Sequence, residues 1–133
     1  MNFPLEFQII CSGIIAGLIL LQTIIIAPSV FKILKPLQIR DLLRSIFPKL
    51  FLFIAIVGFI SLLLTIVFGT HHRVQIIVNL TTIIFSLFCF YIIPMTNKAK
   101  DEENNKLFSF LHKISVYSTM LVLIINLFWI VLL

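Results

Sequence analysis

Four stretches of the chain, Gln8 to Phe31, Leu50 to Thr70, Val74 to Asn97 and Ile114 to Leu133, contain no Asp, Glu, Lys or Arg, and each is 20 residues or longer. A helix rising ~1.5 Å per residue needs about 20 apolar residues to cross a hydrocarbon core roughly 30 Å thick. Inside that core water is not available to the backbone, so each N–H and C=O must be paired within the protein, and an apolar segment of this length is driven to be helical. The reading is an integral membrane protein. A water-soluble alternative fails on composition, since 61% of residues are hydrophobic and only 11% charged, against about 25% charged in soluble domains.

The expected fold class is all-α: an antiparallel four-helix transmembrane bundle, with spans at about 8–31, 50–70, 74–97 and 110–133 of a single integral membrane domain covering residues 1–133. Glu6 precedes the first apolar run with no Lys or Arg before it, and the run exceeds a signal-peptide core, so span one is expected to stay as an anchor. Between spans one and two, Leu37, Ile39, Leu42, Leu43, Ile46 and Phe47 alternate with Gln38, Arg40, Asp41, Arg44 and Ser45 at helical spacing. That pattern predicts a short amphipathic helix at the membrane interface. Pro48 then marks either a bend in one helix or a break between two. The turn holding His71, His72 and Arg73 is short enough to make spans two and three antiparallel neighbours. Acidic residues and asparagines at Asp101 to Asn105 suit a helix N-terminus, so the last helix is expected to start near Asn105.

Charge distribution sets the orientation. Nine of the ten basic residues fall in the two loops flanking spans one and four on the same side, and only Arg73 lies elsewhere. Basic loops stay cytoplasmic, so both termini are expected outside the cytoplasm, with a bacterial inner membrane as the setting. The lipid bilayer, including anionic headgroups, is the expected partner of this basic excess. Nucleic acid is not, because aromatic and basic residues are not interleaved as a binding platform requires.

Polar residues within the spans fall on stripes. Span three carries Gln75, Asn79, Thr82 and Ser86 at intervals of four, three and four; span four carries Ser109, His112, Ser115, Thr119 and Asn126. Span two aligns Gly58, Ser61, Thr65 and Gly69, and span one offers Ser12, Ala16, Thr23 and Ala27 with Gln22 beside them. By helical rise Ser12, Thr65, Asn79 and Asn126 form a layer about 6 to 10 Å below the outer boundary, while Gln22, Thr23, Tyr91, His112 and Ser115 lie nearer the inner one. Ser12, Thr65, Asn79, His112, Ser115 and Asn126 are thus the candidate polar pocket. Interhelical hydrogen bonding is the simpler role for such groups, worth ~0.6 kcal/mol each on average; a polar pathway is the functional one. Gly13 and Gly17 form a GxxxG face and, with Gly58, are the candidate helix-packing positions.

No catalytic residue, cofactor site or metal site is assigned. The spans hold no carboxylate, and the chain lacks GxSxG, HExxH, CxxC and phosphate-binding glycine loops. Cys11 and Cys89 differ in depth by ~18 Å at helical rise, too far for a disulfide. His112 lacks a second axial haem ligand on its side, since His71 and His72 are placed across the membrane. The function expected is a non-enzymatic accessory or oligomerising membrane component, joined to a membrane-protein partner or a second copy. A permeation element for a small polar or cationic solute is the first alternative, and a haem or quinone redox protein the second.

Several segments, taken in order, are similar to a known family. Ala27-Pro28 with Phe31, Phe47-Pro48 with Leu50-Phe51, Tyr91 with Pro94 and Asn97-Lys98-Ala99, and Phe108 through His112 to Ser115 resemble the transmembrane protein 205-like domain family. The resemblance spans nearly the whole chain. It implies a compact four-helix membrane protein without a settled biochemical activity, in which Pro48, Pro94, His112 and Ser115 occupy characteristic positions. Two features depart from it: the loop before span four is shorter than in eukaryotic members, and Thr119 stands where some relatives are expected to carry asparagine.

Overall fold

A computed structural model describes residues 3–69 and 73–133. Helix accounts for almost all of them, as the need to pair every backbone group in lipid demands. The first rod is α1 (Phe3–Leu20), a π-helical turn (Leu21–Ile26) and α2 (Ala27–Ile33). It is followed by α3 (Pro36–Val67), α4 (Arg73–Asp101), α5 (Asn105–Phe128) and a 3₁₀ turn (Trp129–Leu132). Four of these rods are long and apolar enough to cross a membrane. The turn containing His71 and His72 lies outside the described residues.

Around the bundle the order is α1, α3, α4, α5 and back to α1, each packing on the next. The apolar core lies where all four meet, with Ile15 and Ile19 from α1, Ile54 from α3, and Val122 and Leu123 from α5. Ile24, Ile84 and Ile124 point outward, as lipid-facing positions should. At the end of the bundle that holds the start of α1 and the end of α5, the outer end in the expected orientation, the Phe3 and Phe68 rings meet edge to face at 5.4 Å.

The helix ends follow local chemistry. Pro36 opens α3, where its missing N–H costs nothing, and Gln38 Oε1 accepts the Lys35 amide at 3.0 Å. Asn104 caps α5 by accepting the Leu107 amide at 3.2 Å, so the last helix does begin where the asparagines indicated. Between α4 and α5, the Asn104 amide donates to Ala99 O and the Glu103 amide to Lys100 O. This is the Schellman arrangement, and it puts Glu103 at φ 56°, a conformation suited to glycine. Replacing Glu103 with glycine should therefore stabilise the fold by about 1 kcal/mol, measured as a higher denaturation midpoint in detergent.

One expectation about this half of the molecule needs correction. The amphipathic segment Leu37 to Phe47 is not a separate interfacial helix, because Pro48 lies inside α3, whose 32 residues run unbroken. At ~1.5 Å per residue such a helix is about 48 Å long and overshoots the hydrocarbon core. The overhang stands up against α4, where Arg44 donates to both Asp101 carboxylate oxygens, at 2.6 and 3.2 Å, and to Asn97 O at 3.3 Å. An ion pair to the neighbouring helix and a continuous backbone ladder outweigh the tendency of an amphipathic segment to lie flat. For Gly13 and Gly17 the structure shows where the GxxxG face points. They are exposed, and a Cβ at either would meet nothing within 4 Å, so they do not pack this bundle together. Gly58 does: a Cβ there would stand 3.2 Å from both Thr82 Cγ2 and Ile83 Cγ1 of α4.

A sealed polar cluster and a basic-mouthed cavity

The polar stripes meet inside the bundle, but in two separate places. In the outer half, α1 presents Gln8 and Ser12 one helical turn apart. Gln8 Nε2 donates to Gln75 O at 3.2 Å and to Asn79 Oδ1 at 3.3 Å, which ties α1 to α4 across the bundle. Ser12 donates to Asn126 Oδ1 at 3.0 Å and accepts the Trp129 indole N–H at 3.0 Å. Asn126 Nδ2 in turn donates to Thr82 Oγ1 at 2.9 Å and to Val122 O at 2.8 Å. Three helices are thereby linked through one amide.

Of the candidate pocket residues, Ser12, Asn79 and Asn126 therefore belong to one outer cluster. Thr65 is fully buried, yet its hydroxyl donates back to Ser61 O at 2.9 Å within its own helix. Gln8 Oε1 and Asn79 Nδ2 are buried without a hydrogen-bond partner among the described residues. Each such group costs roughly 1–3 kcal/mol, so the cluster gives up some stability for its register. Two members were missed from sequence. Gln8 stands four residues before Ser12 on the same face, a spacing that could have revealed it. Trp129 could have been suspected because a buried indole N–H needs an acceptor.

The inner half is different. A cavity of about 770 Å³ opens there, within the size range of small-molecule sites. Part of its wall flanks Pro28 in the chain. A proline has no N–H for the carbonyl four residues back and its ring crowds that carbonyl, and the turn just before it is widened to π geometry, with the Ala27 amide reaching back to Gln22 O. Beyond this turn α2 packs chiefly on the π turn itself, and Ala27 and Phe31 line the cavity from one side. Ile39, Leu43 and Phe47 of α3 face it from another, which is where the amphipathic segment spends its apolar side.

His112 and Ser115 line this cavity and not the outer cluster, as do Gln22 and Thr23. His112 is exposed and stacks on Phe108 with ring centroids 5.8 Å apart. Tyr91, placed by depth in the same layer, points away and is 72% exposed. Thr119, also lining the cavity, donates its hydroxyl to Ser115 O at 2.8 Å. Arg40, Arg44 and Lys100 line the mouth, and no Asp or Glu is among the lining residues. Past the charge-free span that ends at Asn97, the hydrogen bond from Arg44 holds the Asp101 carboxyl below its ordinary pKa, with the guanidinium charge adding to the effect. Among the described residues no three His, Cys, Asp or Glu side chains gather as a metal site.

Between the two regions lies the apolar core, with the buried Ser86 and Ser118 beside it. Ile19 borders the cavity and Ile15 lies one turn farther out; Val122 stands between Thr119 in the cavity and Asn126 in the cluster.

A family model described as a domain of unknown function (DUF4149) matches residues 10–105. That description does not name the transmembrane protein 205-like domain family. Neither the curated proteins nor the solved structures include a match.

Proposed function

The chain belongs to the DUF4149 family, and from that premise we propose that it is a non-enzymatic membrane component that works by associating with another transmembrane helix, of a partner protein or a second copy. One observation carries the reading. The Gly13/Gly17 face of α1 is turned outward with open space over both glycines, whereas Gly58, the interior glycine, is filled by α4. Apolar burial gives helices no drive to associate in lipid, so close backbone approach over small residues is a main source of cohesion. A GxxxG face left unused by its own bundle is suited to a helix from outside. The setting in this reading is a bacterial inner membrane with both termini outside the cytoplasm, supported by nine of ten basic residues lying at one end. The likeness to the transmembrane protein 205-like family belongs to the same proposal.

A permeation role has less support, since a solute entering the cavity would meet Ile15, Ile19, Ile54 and Val122, interrupted by the buried hydroxyls of Ser86 and Ser118, before the outer polar cluster. The test of association is the double variant Gly13→Ile/Gly17→Ile. In lipid vesicles, energy transfer between labelled copies, or to a co-purifying membrane partner, should fall at least tenfold while the helical content is kept. Undiminished association in the variant, or a wild-type chain that is monomeric and without a stoichiometric partner, would refute the proposal.

A further inference from the structure

We propose that the inner cavity is a binding site for one anionic glycerophospholipid, its phosphodiester held at the Arg40/Lys100/His112 mouth and an ester carbonyl accepting a hydrogen bond from Gln22. The inference depends on the cavity alone and is independent of the Gly13/Gly17 contact.

Two independent observations point to this ligand. The first is charge. The mouth brings cations from α3 and α4 together, and the lining contains no carboxylate. Arg44 is engaged by Asp101 and Arg40 by its neighbour Asp41, while the Lys100 ammonium sits 4.9 Å from the Phe108 ring centroid. Each arginine pair is close to neutral overall, so the net positive charge of the mouth is that of Lys100, and it favours an anionic headgroup. The second is Gln22. It lines the cavity, it is only 8% exposed, and its Nε2 has no hydrogen-bond partner. A buried amide donor without an acceptor costs roughly 1–3 kcal/mol, and a ligand oxygen would recover that.

The spacing of these groups selects the ligand class. Phe51 and Ile19 share the closed end of the cavity. Along α3, Arg44 is seven residues and Arg40 eleven from Phe51, and Gln22 is three from Ile19. At helical rise Gln22 is then about 6 Å deeper than Arg44 and about 12 Å deeper than Arg40. A glycerophospholipid carries its anionic phosphate outermost and its ester carbonyls a few bonds deeper. Below them the walls turn apolar and aromatic, with Phe31, Phe47 and Phe51 available to hydrocarbon. Because α2 packs chiefly on the π turn and little on the other helices, acyl chains can pass on that side into the surrounding leaflet.

The experiment uses the full chain purified in mild detergent, with phosphatidylglycerol and phosphatidylcholine titrated separately and read by native mass spectrometry. Phosphatidylglycerol should bind at one per chain and at least tenfold more tightly than phosphatidylcholine. Arg40→Gln/Lys100→Gln should weaken it at least tenfold, whereas Lys32→Gln/Lys113→Gln, basic at the same end but outside the lining, should not. Gln22→Leu removes an unpaired donor, so the fold is kept, and it should lower affinity for phosphatidylglycerol about fivefold. Equal binding of the two lipids overturns the proposal, as does an equal loss in the Lys32/Lys113 variant or unchanged affinity in Gln22→Leu. A phosphatidylglycerol carrying a diazirine on its acyl chain gives a readout on the unmodified protein. Label on Phe47 or Phe51 supports the site; label confined to outward residues such as Ile84 and Ile124 rejects it.

Discussion

Replacing Asn126 with leucine is expected to destabilise the bundle by about 2–3 kcal/mol, read as the shift in an unfolding titration from mild to denaturing detergent. The side chain accepts from Ser12 and donates to Thr82 and to Val122 O. Interhelical hydrogen bonds in membranes average ~0.6 kcal/mol with a maximum near 1.7, so the two interhelical bonds lost, together with the bond to Val122 O of its own helix, account for most of the effect. The Trp129 indole keeps its acceptor in Ser12, which limits the further loss. A double-mutant cycle with Ser12→Ala isolates the one bond the pair shares and should give a coupling of roughly 0.6–1.7 kcal/mol. If Asn126→Leu is as stable as the natural chain, interhelical adhesion is not what this asparagine does, and a role in a pathway would regain weight.

Gly58→Leu should be worse still, costing about 3 kcal/mol or preventing assembly. Already a bare Cβ would stand 3.2 Å from the Thr82 and Ile83 side chains, so alanine requires those neighbours to give by a few tenths of an ångström. Leucine adds three more carbons in the same direction, and overpacking of this kind costs typically 1–3 kcal/mol before any backbone shift. Thr82 is also the acceptor for Asn126, so pushing α4 away from α3 stretches the bond to α5. The two substitutions should therefore not add independently. Gly17→Leu is the control. With open space over that position, the isolated bundle should change by no more than about 0.5 kcal/mol, and an effect as large as that of Gly58→Leu would show that the outward assignment of the α1 glycines is wrong.

Much of the outer cluster could be read from residue spacing. Asn79, Thr82 and Ser86 sit at three- and four-residue intervals, Asn126 lies seven residues beyond Thr119 on the face of its own helix, and a polar group in hydrocarbon has to turn toward other polar groups. The same reasoning placed Ser12 opposite Asn126, where it is found. It failed for Tyr91, because a tyrosine near the interface satisfies its hydroxyl toward headgroups as readily as toward a bundle interior. It also failed for Thr65, whose hydroxyl has a backbone carbonyl within reach one turn back and needs no partner helix. For the glycines, GxxxG specifies that a face is smooth without specifying what approaches it. Gly13, Gly17 and Gly58 look alike in sequence, and only Gly58 is covered.

By itself the sequence determined that this is a membrane protein with four helices: uncharged segments of 20 residues or more have no stable home in water, and lipid leaves a single chain segment no alternative to intramolecular pairing. It also determined that basic residues collect at one end and that each helix has a polar edge. Tertiary structure alone decided which edges meet, that Pro48 would be carried inside a single α3, and that the inner half would open into a cavity. The reason is that these outcomes depend on how far apart helix axes lie at each depth. That separation is set jointly by Gly58 against α4, by the π turn before Pro28 and by the hold of Arg44 on Asp101, residues distant in the chain whose effects combine only once the helices are packed.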